Sequence, residues 1–160
     1  MNISIICAMD INNIIGMGKE IPWILKQDMQ YFRYLTLGKA VIMGRLTYNS
    51  IGKHLSNRKN IILTRNKGLY ATNCNVVHSI KSSIQNIFPY KSCMVVGGAA
   101  IYKSFLCYAQ YIYTTKVISK FKGDTYFPII NKANWRLISL IKRNSYIYKV
   151  YKRKIYVQDY

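Results

Sequence analysis

Four unbroken apolar runs constrain this chain more than any other feature: Ile3-Ser4-Ile5-Ile6-Cys7, Ala40-Val41-Ile42-Met43, Asn60-Ile61-Ile62-Leu63 and Cys93-Met94-Val95-Val96. They are rich in β-branched residues and do not alternate with polar ones. A strand that is apolar on both pleats needs cover on both faces, as in a parallel sheet between two helical layers. Helical patterns fall between the runs. Leu25, Met29, Phe32 and Leu35 share one face, which predicts a helix over about 26–37 with Gly38 as its stop. A second helix is expected from Gly44 up to Gly52, a third over about 80–88 and a fourth over about 99–107. The pattern turns strand-like over 111–119, 135–141 and 146–157, the last two as an antiparallel pair. The expected fold is α/β: a single domain over 1–160, with a central mostly parallel sheet, an antiparallel C-terminal edge strand and helices on both faces.

Net charge is +19, from 24 Lys and Arg against 5 Asp and Glu. Such a balance suits anionic partners, although coding bias is its plainer source, because Ile, Asn, Lys and Tyr are all abundant. Cys7, Cys74, Cys93 and Cys107 have no CxxC spacing and read as small core residues in a reducing compartment. His54 and His78 lie near no carboxylate or thiol in sequence, so no metal site is expected. No apolar stretch approaches the ~18 residues of a membrane span, and no signal peptide is read at the start. The expected location is the cytoplasm.

Ligands of such sheets bind at the carboxyl ends of the strands. There, Val96-Gly97-Gly98-Ala99 joins a strand to a helix, marking either a tight turn or a close approach to a phosphate. Met43-Gly44-Arg45-Leu46-Thr47 repeats the arrangement with an arginine and a hydroxyl in the first helical turn, and Leu63-Thr64-Arg65 adds another such pair. Three loops of this kind suit an extended multiphosphate such as a dinucleotide, or are ordinary connections with surface arginines. Asp28 lies three residues after Leu25 and four before Phe32, on the apolar helix face. A carboxylate there is costly unless satisfied by the backbone or an arginine. It is also what holds a flat, cationic or amidine-like ring in an apolar cleft. Between the first strand and this helix, Ile14-Ile15-Gly16-Met17-Gly18 leads to Pro22-Trp23, either a mobile lid with a fixed hinge or simply a long loop.

Ile15-Gly16, Pro22-Trp23 with Leu25 and Asp28, Phe32-Arg33, Val41-Ile42-Met43-Gly44-Arg45 with Thr47, Ser50-Ile51-Gly52, Arg58-Lys59-Asn60, Val96-Gly97-Gly98, Ile101-Tyr102 and Gly123-Asp124-Thr125 occur in this order. The ordered set resembles the dihydrofolate reductase family over about residues 3–135. The resemblance implies reduction of dihydrofolate with NADPH by a monomer. It implies catalytic roles for Asp28, for Thr115 as the hydroxyl bonded to that carboxylate, and for Trp23 in the closing loop. It implies a folate cleft walled by Ile6, Cys7, Met29, Phe32, Ile51 and Leu55, with Arg58 on the glutamate tail. It also implies NADPH contacts from Ala8, Ile15, Gly16, Gly44, Arg45, Thr47, Thr64, Arg65, Gly97, Gly98, Ala99, Ala100, Ile101 and Tyr102, with a cis bond between Gly97 and Gly98. Lys26 stands where many members have proline. Leu46 and Ala100 replace a histidine and an arginine that many bacterial members place near the adenosine phosphates. Arg65 stands at the 2′-phosphate, where a serine is common, and keeps the expectation at NADPH over NADH.

Two rivals remain at this level. A sister reductase acting on another pteridine- or pyrimidine-like ring would lack the set Trp23, Asp28, Phe32 and Arg58. A nucleic-acid binder would use the interleaved bases and aromatics of 142–154, which read more simply as a hairpin with its charges in water. No specific nucleic-acid partner and no membrane partner is expected.

Overall fold

The structure is a computed structural model that describes residues 2–88 and 90–154. Its main elements follow the apolar runs: β1 (Asn2–Met9), β3 (Ala40–Gly44), β4 (Lys59–Leu63) and β6 (Ser92–Gly97). To these are added β5 (Cys74–Val77), β7 (Tyr111–Val117), β9 (Trp135–Lys142) and β10 (Tyr146–Arg153). They form one sheet in the order β5-β4-β3-β6-β1-β7-β10-β9. The pairs from β5 across to β7 are parallel. β10 runs antiparallel to both its neighbours. The reversed strand is therefore second from the edge, and β9, paired with it, is outermost. The end of the expected last strand, 155–157, lies outside the described residues.

Helices α1 (Lys26–Thr36), α2 (Arg45–Ile51), α3 (Ile80–Ile87) and α4 (Ala99–Phe105) connect the strands. Each ends within about two residues of its expected place. α1 stops before Gly38 at φ 71°, and Gly52 caps α2 at φ 76°, left-handed values that glycine adopts without a Cβ penalty. Alternation along the strands divides the core into two layers. Ile5, Ile42, Ile61 and Val95 point to the layer that receives Phe105 of α4 and Ile84 of α3. Ile6, Val41, Ile62 and Met94 point to the layer that receives Phe32 and Leu35 of α1 and Ile51 of α2. The helices thus cover both faces, as the unbroken apolar runs require.

Two features carry no clear sequence signal. β2 (Ile14–Gly16) pairs with β8 (Thr125–Tyr126), so part of the expected loop is a two-stranded ribbon. Asp10, just after β1, is fully buried. Its Oδ1 accepts the backbone N–H groups of Asn12 and Ile14 at 2.8 Å each, and its Oδ2 accepts that of Phe121 at 3.0 Å. A three-residue loop turn is held to a segment more than a hundred residues away by one carboxylate. The cysteines divide as well: Cys7 and Cys93 are buried, whereas Cys107 is exposed and is not a core residue. Removing the Asp10 carboxylate strands three donors at a buried site, so Asp10→Ala should cost about 3 kcal/mol in urea unfolding. A loss of less than about 1 kcal/mol would contradict this role.

Candidate active site

Asp28 reaches the sheet from the first turn of α1. The half-buried face of that helix is Asp28, Tyr31, Phe32 and Leu35, at the spacing of one helical stripe. Met29, expected on this face, is 65% exposed and lies beside the stripe. Thr115, buried on β7, donates its hydroxyl to Asp28 Oδ1 at 2.5 Å. Burial raises the pKa of the Asp28 carboxyl above its ordinary value near 3.8, and the Thr115 hydrogen bond opposes that shift only in part.

Aromatic side chains complete the surroundings. Tyr148 of β10 lies opposite Thr115 in the sheet register. Its ring meets that of Tyr31 at 4.3 Å, and its hydroxyl donates to the Gln27 carbonyl at 3.4 Å. Burial, with Tyr113 and then Asp28 adding to it, pushes the Tyr31 phenol up to about 12. Ile6, Phe32, Ile51, Leu55 and Tyr113 share the packing layer on this side of the sheet. Cys7 packs in the other layer, because neighbours on a strand point to opposite faces.

Arg58, in the turn just before β4, lies against the C-terminal end of α1. Its Nε donates to Thr36 Oγ1 at 2.8 Å and one terminal nitrogen to the Ser56 carbonyl at 2.8 Å. Thr36 is itself fixed through its hydroxyl to the Phe32 carbonyl at 2.7 Å. The guanidinium is thereby oriented before any ligand arrives. Burial and the neighbouring charge of Arg33 both lower its pKa.

The loop before α1 is tied down at several points. Gly18 N–H donates to Asp124 Oδ2 at 3.0 Å, and Ser50 of α2 donates to the Lys19 carbonyl at 2.5 Å. The Trp23 ring packs on Phe121, centroid to centroid 5.0 Å. Phe121 is the residue whose N–H Asp10 holds, so the buried acid fixes the partner of Trp23.

Across the rim, Gly44, Gly97, Gly98 and Thr47 come together, and the Gly97–Gly98 peptide is cis. A Cβ on Gly44 would lie 2.9 Å from Ile101, and one on Gly98 3.3 Å from the Thr47 hydroxyl. Gly97 has φ 122°. Here the two strand ends and α4 close up so tightly that a Cβ on Gly44 would press into Ile101 and one on Gly98 into Thr47. Neither α2 nor α4 has a side chain capping its first turn. Tyr102 is buried and donates to the Ile6 carbonyl at 2.8 Å, linking this rim to the Asp28 side. Thr64 is buried at the next strand end, with Arg65 exposed after it. Arg45, Ile101, Ala8, Ile15 and Gly16 are partly exposed, and Ala100 is exposed.

The family model for dihydrofolate reductase matches residues 2–156. The chain belongs to the dihydrofolate reductase family. It is 42% identical over 137 residues to the dihydrofolate reductase of Bacillus subtilis, covering 86% of this chain and 82% of that protein. It is 39% identical over 142 residues to that of Staphylococcus haemolyticus, covering 89% of this chain and 86% of the relative. Among solved structures, the dihydrofolate reductase from Enterococcus faecalis complexed with NADP(H) and RAB-propyl superposes with a TM-score of 0.90. That match is 26% identical and covers 96% of this chain and 97% of the other.

Seen within a dihydrofolate reductase, the residues missed by sequence reasoning are Tyr31, Tyr113, Tyr148, Phe121 and Asp10. Tyr31 could have been found, since it stands three residues after Asp28 on the same helix face. Tyr148 could not, because its place depends on the pairing register of strands distant in sequence. In the basic hairpin of 142–154, Arg153 lies over Trp135 at 4.6 Å and Lys152 over Tyr111, while Lys142, Arg143, Lys152 and Lys154 are exposed.

The raised pKa of Asp28 means that its neutral form favours folding and its ionised form opposes it. That stability is fully present below the ordinary value near 3.8 and is lost as pH rises through the folded value. Asp28→Asn, neutral throughout, should therefore melt above the parent at neutral pH, with the gap closing as pH falls through the carboxylate range. A variant that melts below the parent at neutral pH would contradict this.

Proposed function

We propose that this protein reduces 7,8-dihydrofolate to 5,6,7,8-tetrahydrofolate with NADPH, supplying one-carbon metabolism and thymidylate synthesis. The observation that carries this reading is the half-buried Asp28 carboxyl, held by Thr115 among Tyr31, Phe32 and Tyr148. NADPH, when bound, supplies the hydride. The remaining work falls to the chain: binding a flat ring, holding one charge, admitting one proton and excluding water.

Asp28 is the partner for the 2-amino group and N3 of the pteridine, which present donors to a carboxylate. Its charge raises the basicity of N5, the atom that must gain a proton, and a water relays that proton. Thr115 keeps the carboxyl turned toward the ring. Ile6, Phe32, Ile51 and Leu55 line the folate side in this reading, with Met29 at its rim, whereas the Cys7 side chain points to the other layer. Arg58, oriented by Thr36 and Ser56, takes the α-carboxylate of the glutamate tail through two parallel hydrogen bonds. Trp23, backed by Phe121, closes the cleft against water. Ala8, Ile15, Gly16, Gly44, Arg45, Thr47, Thr64, Arg65 and the run Gly97 to Tyr102 hold NADPH, and the close approach of Gly44, Gly97 and Gly98 to Thr47 and Ile101 supports that assignment. In this reading the chain works as a cytoplasmic monomer and has no specific nucleic-acid partner.

Purified protein should oxidise NADPH, followed at 340 nm, only when dihydrofolate is present, and an antifolate should stop it. No turnover by folded protein would overturn the reading. Asp28→Asn should lose about a hundredfold or more in turnover at neutral pH while still binding NADPH. Arg58→Leu should raise KM for dihydrofolate more than it lowers kcat. An unchanged KM would remove Arg58 from the tail site.

A further inference from the structure

Thr115 faces the Asp28 cleft, so Thr114 and Lys116 face the other side of the sheet. On that side the fold forms a partly open pocket of about 200 Å3. Its polar wall is Asn13, Thr114, Lys116 and Lys149, and Phe127, Ile129 and Ile130 contribute to its apolar wall. Lys149 lies opposite Thr114 and Lys116 opposite Ile147 in the register of β7 and β10. The two lysines are therefore diagonal neighbours on one face.

No acidic side chain lines this pocket among the described residues. Lys116 Nζ donates to the neutral Asn13 Oδ1 at 2.7 Å. The nearby Asp10 carboxylate is committed to three backbone N–H groups. Burial first, and the charge of Lys149 second, lower the Lys116 pKa, while Asp10 and Cys7 act the other way. Two like charges side by side, with the nearby carboxylate already committed to backbone donors, are relieved by an anion. Beside them Ile129 is 83% exposed, so a ligand that also covers it gains apolar burial.

The geometry points to a binding site for a small organic carboxylate, its charge between Lys116 and Lys149 and its apolar body against Phe127, Ile129 and Ile130. The site lies across the sheet from Asp28 and does not depend on the reaction proposed above. An inorganic anion would satisfy the lysines and leave the apolar wall in water, which is why an organic acid fits better.

The test is a titration of the 15N-labelled full chain with benzoate and, separately, with inorganic phosphate at matched ionic strength. Benzoate should move the amide signals of Thr114, Lys116 and Lys149 in a saturable way, and phosphate should not. Lys149→Met and Lys116→Met should each weaken benzoate binding by about tenfold or more, with the exposed Lys67→Met as an unaffected control. Changes that do not saturate, or that are confined to the cleft around Phe32 and Arg58, would overturn the site. Equal binding of phosphate would overturn the organic carboxylate as its ligand.

Discussion

The hydrogen bond from Thr115 to Asp28 is the contact on which the rest of the site depends. It joins a central strand of the sheet to the first turn of α1 and sets how that helix lies on the sheet. A carboxylate withdrawn from water is costly, and a donor at 2.5 Å offsets part of the cost without neutralising the group. An arginine there would have lowered the pKa and removed the free charge that the ring requires. The register of the sheet then supplies the walls. Because Tyr148 lies opposite Thr115, its ring meets Tyr31 one helical turn beyond Asp28. Sheet pairing, helix placement and site chemistry are one arrangement rather than three.

A second acid organises the opposite edge of the same site. Asp10 gives both carboxylate oxygens to backbone N–H groups. Through Phe121 it fixes the surface against which Trp23 packs. With five acids against 24 basic residues, few cations can have a carboxylate partner. The structure instead satisfies its basic groups with carbonyl, hydroxyl and amide oxygens: Arg58 on Thr36 and Ser56, Lys59 on Asn75, and Lys116 on Asn13. Arg153 turns to the Ala109 and Leu106 carbonyls at the end of α4, where a helix favours positive charge. These neutral partners let so basic a chain hold its arginines in defined places.

Much of this was legible in the sequence, for identifiable reasons. Buried parallel strands leave uninterrupted apolar runs, and glycines end α1 and α2 through left-handed backbone, so both kinds of element could be read locally. Asp28 stood out because a charge on an apolar helix face breaks the pattern. β5 escaped because Cys74 to Val77 is short and only half-buried at the sheet edge. The β2–β8 ribbon escaped because its pairing joins segments over a hundred residues apart. Asp10 escaped for a related reason: a loop aspartate looks exposed until the segment bearing Phe121 folds over it. Met29 shows the opposite error, in which an apolar residue near the right spacing falls beside the stripe rather than on it.

The account rests on a carboxyl kept partly out of water and held by one hydroxyl. Carbon-13 NMR of the side-chain carboxyls measures this directly, and with four aspartates and one glutamate the spectrum is sparse enough to assign. Asp28 should titrate above the ordinary aspartate range, and Thr115→Val should move it higher still, because the hydroxyl is the group that favours the ionised form. An Asp28 that titrates at or below the ordinary value, or that does not respond to loss of the Thr115 hydroxyl, would contradict the account.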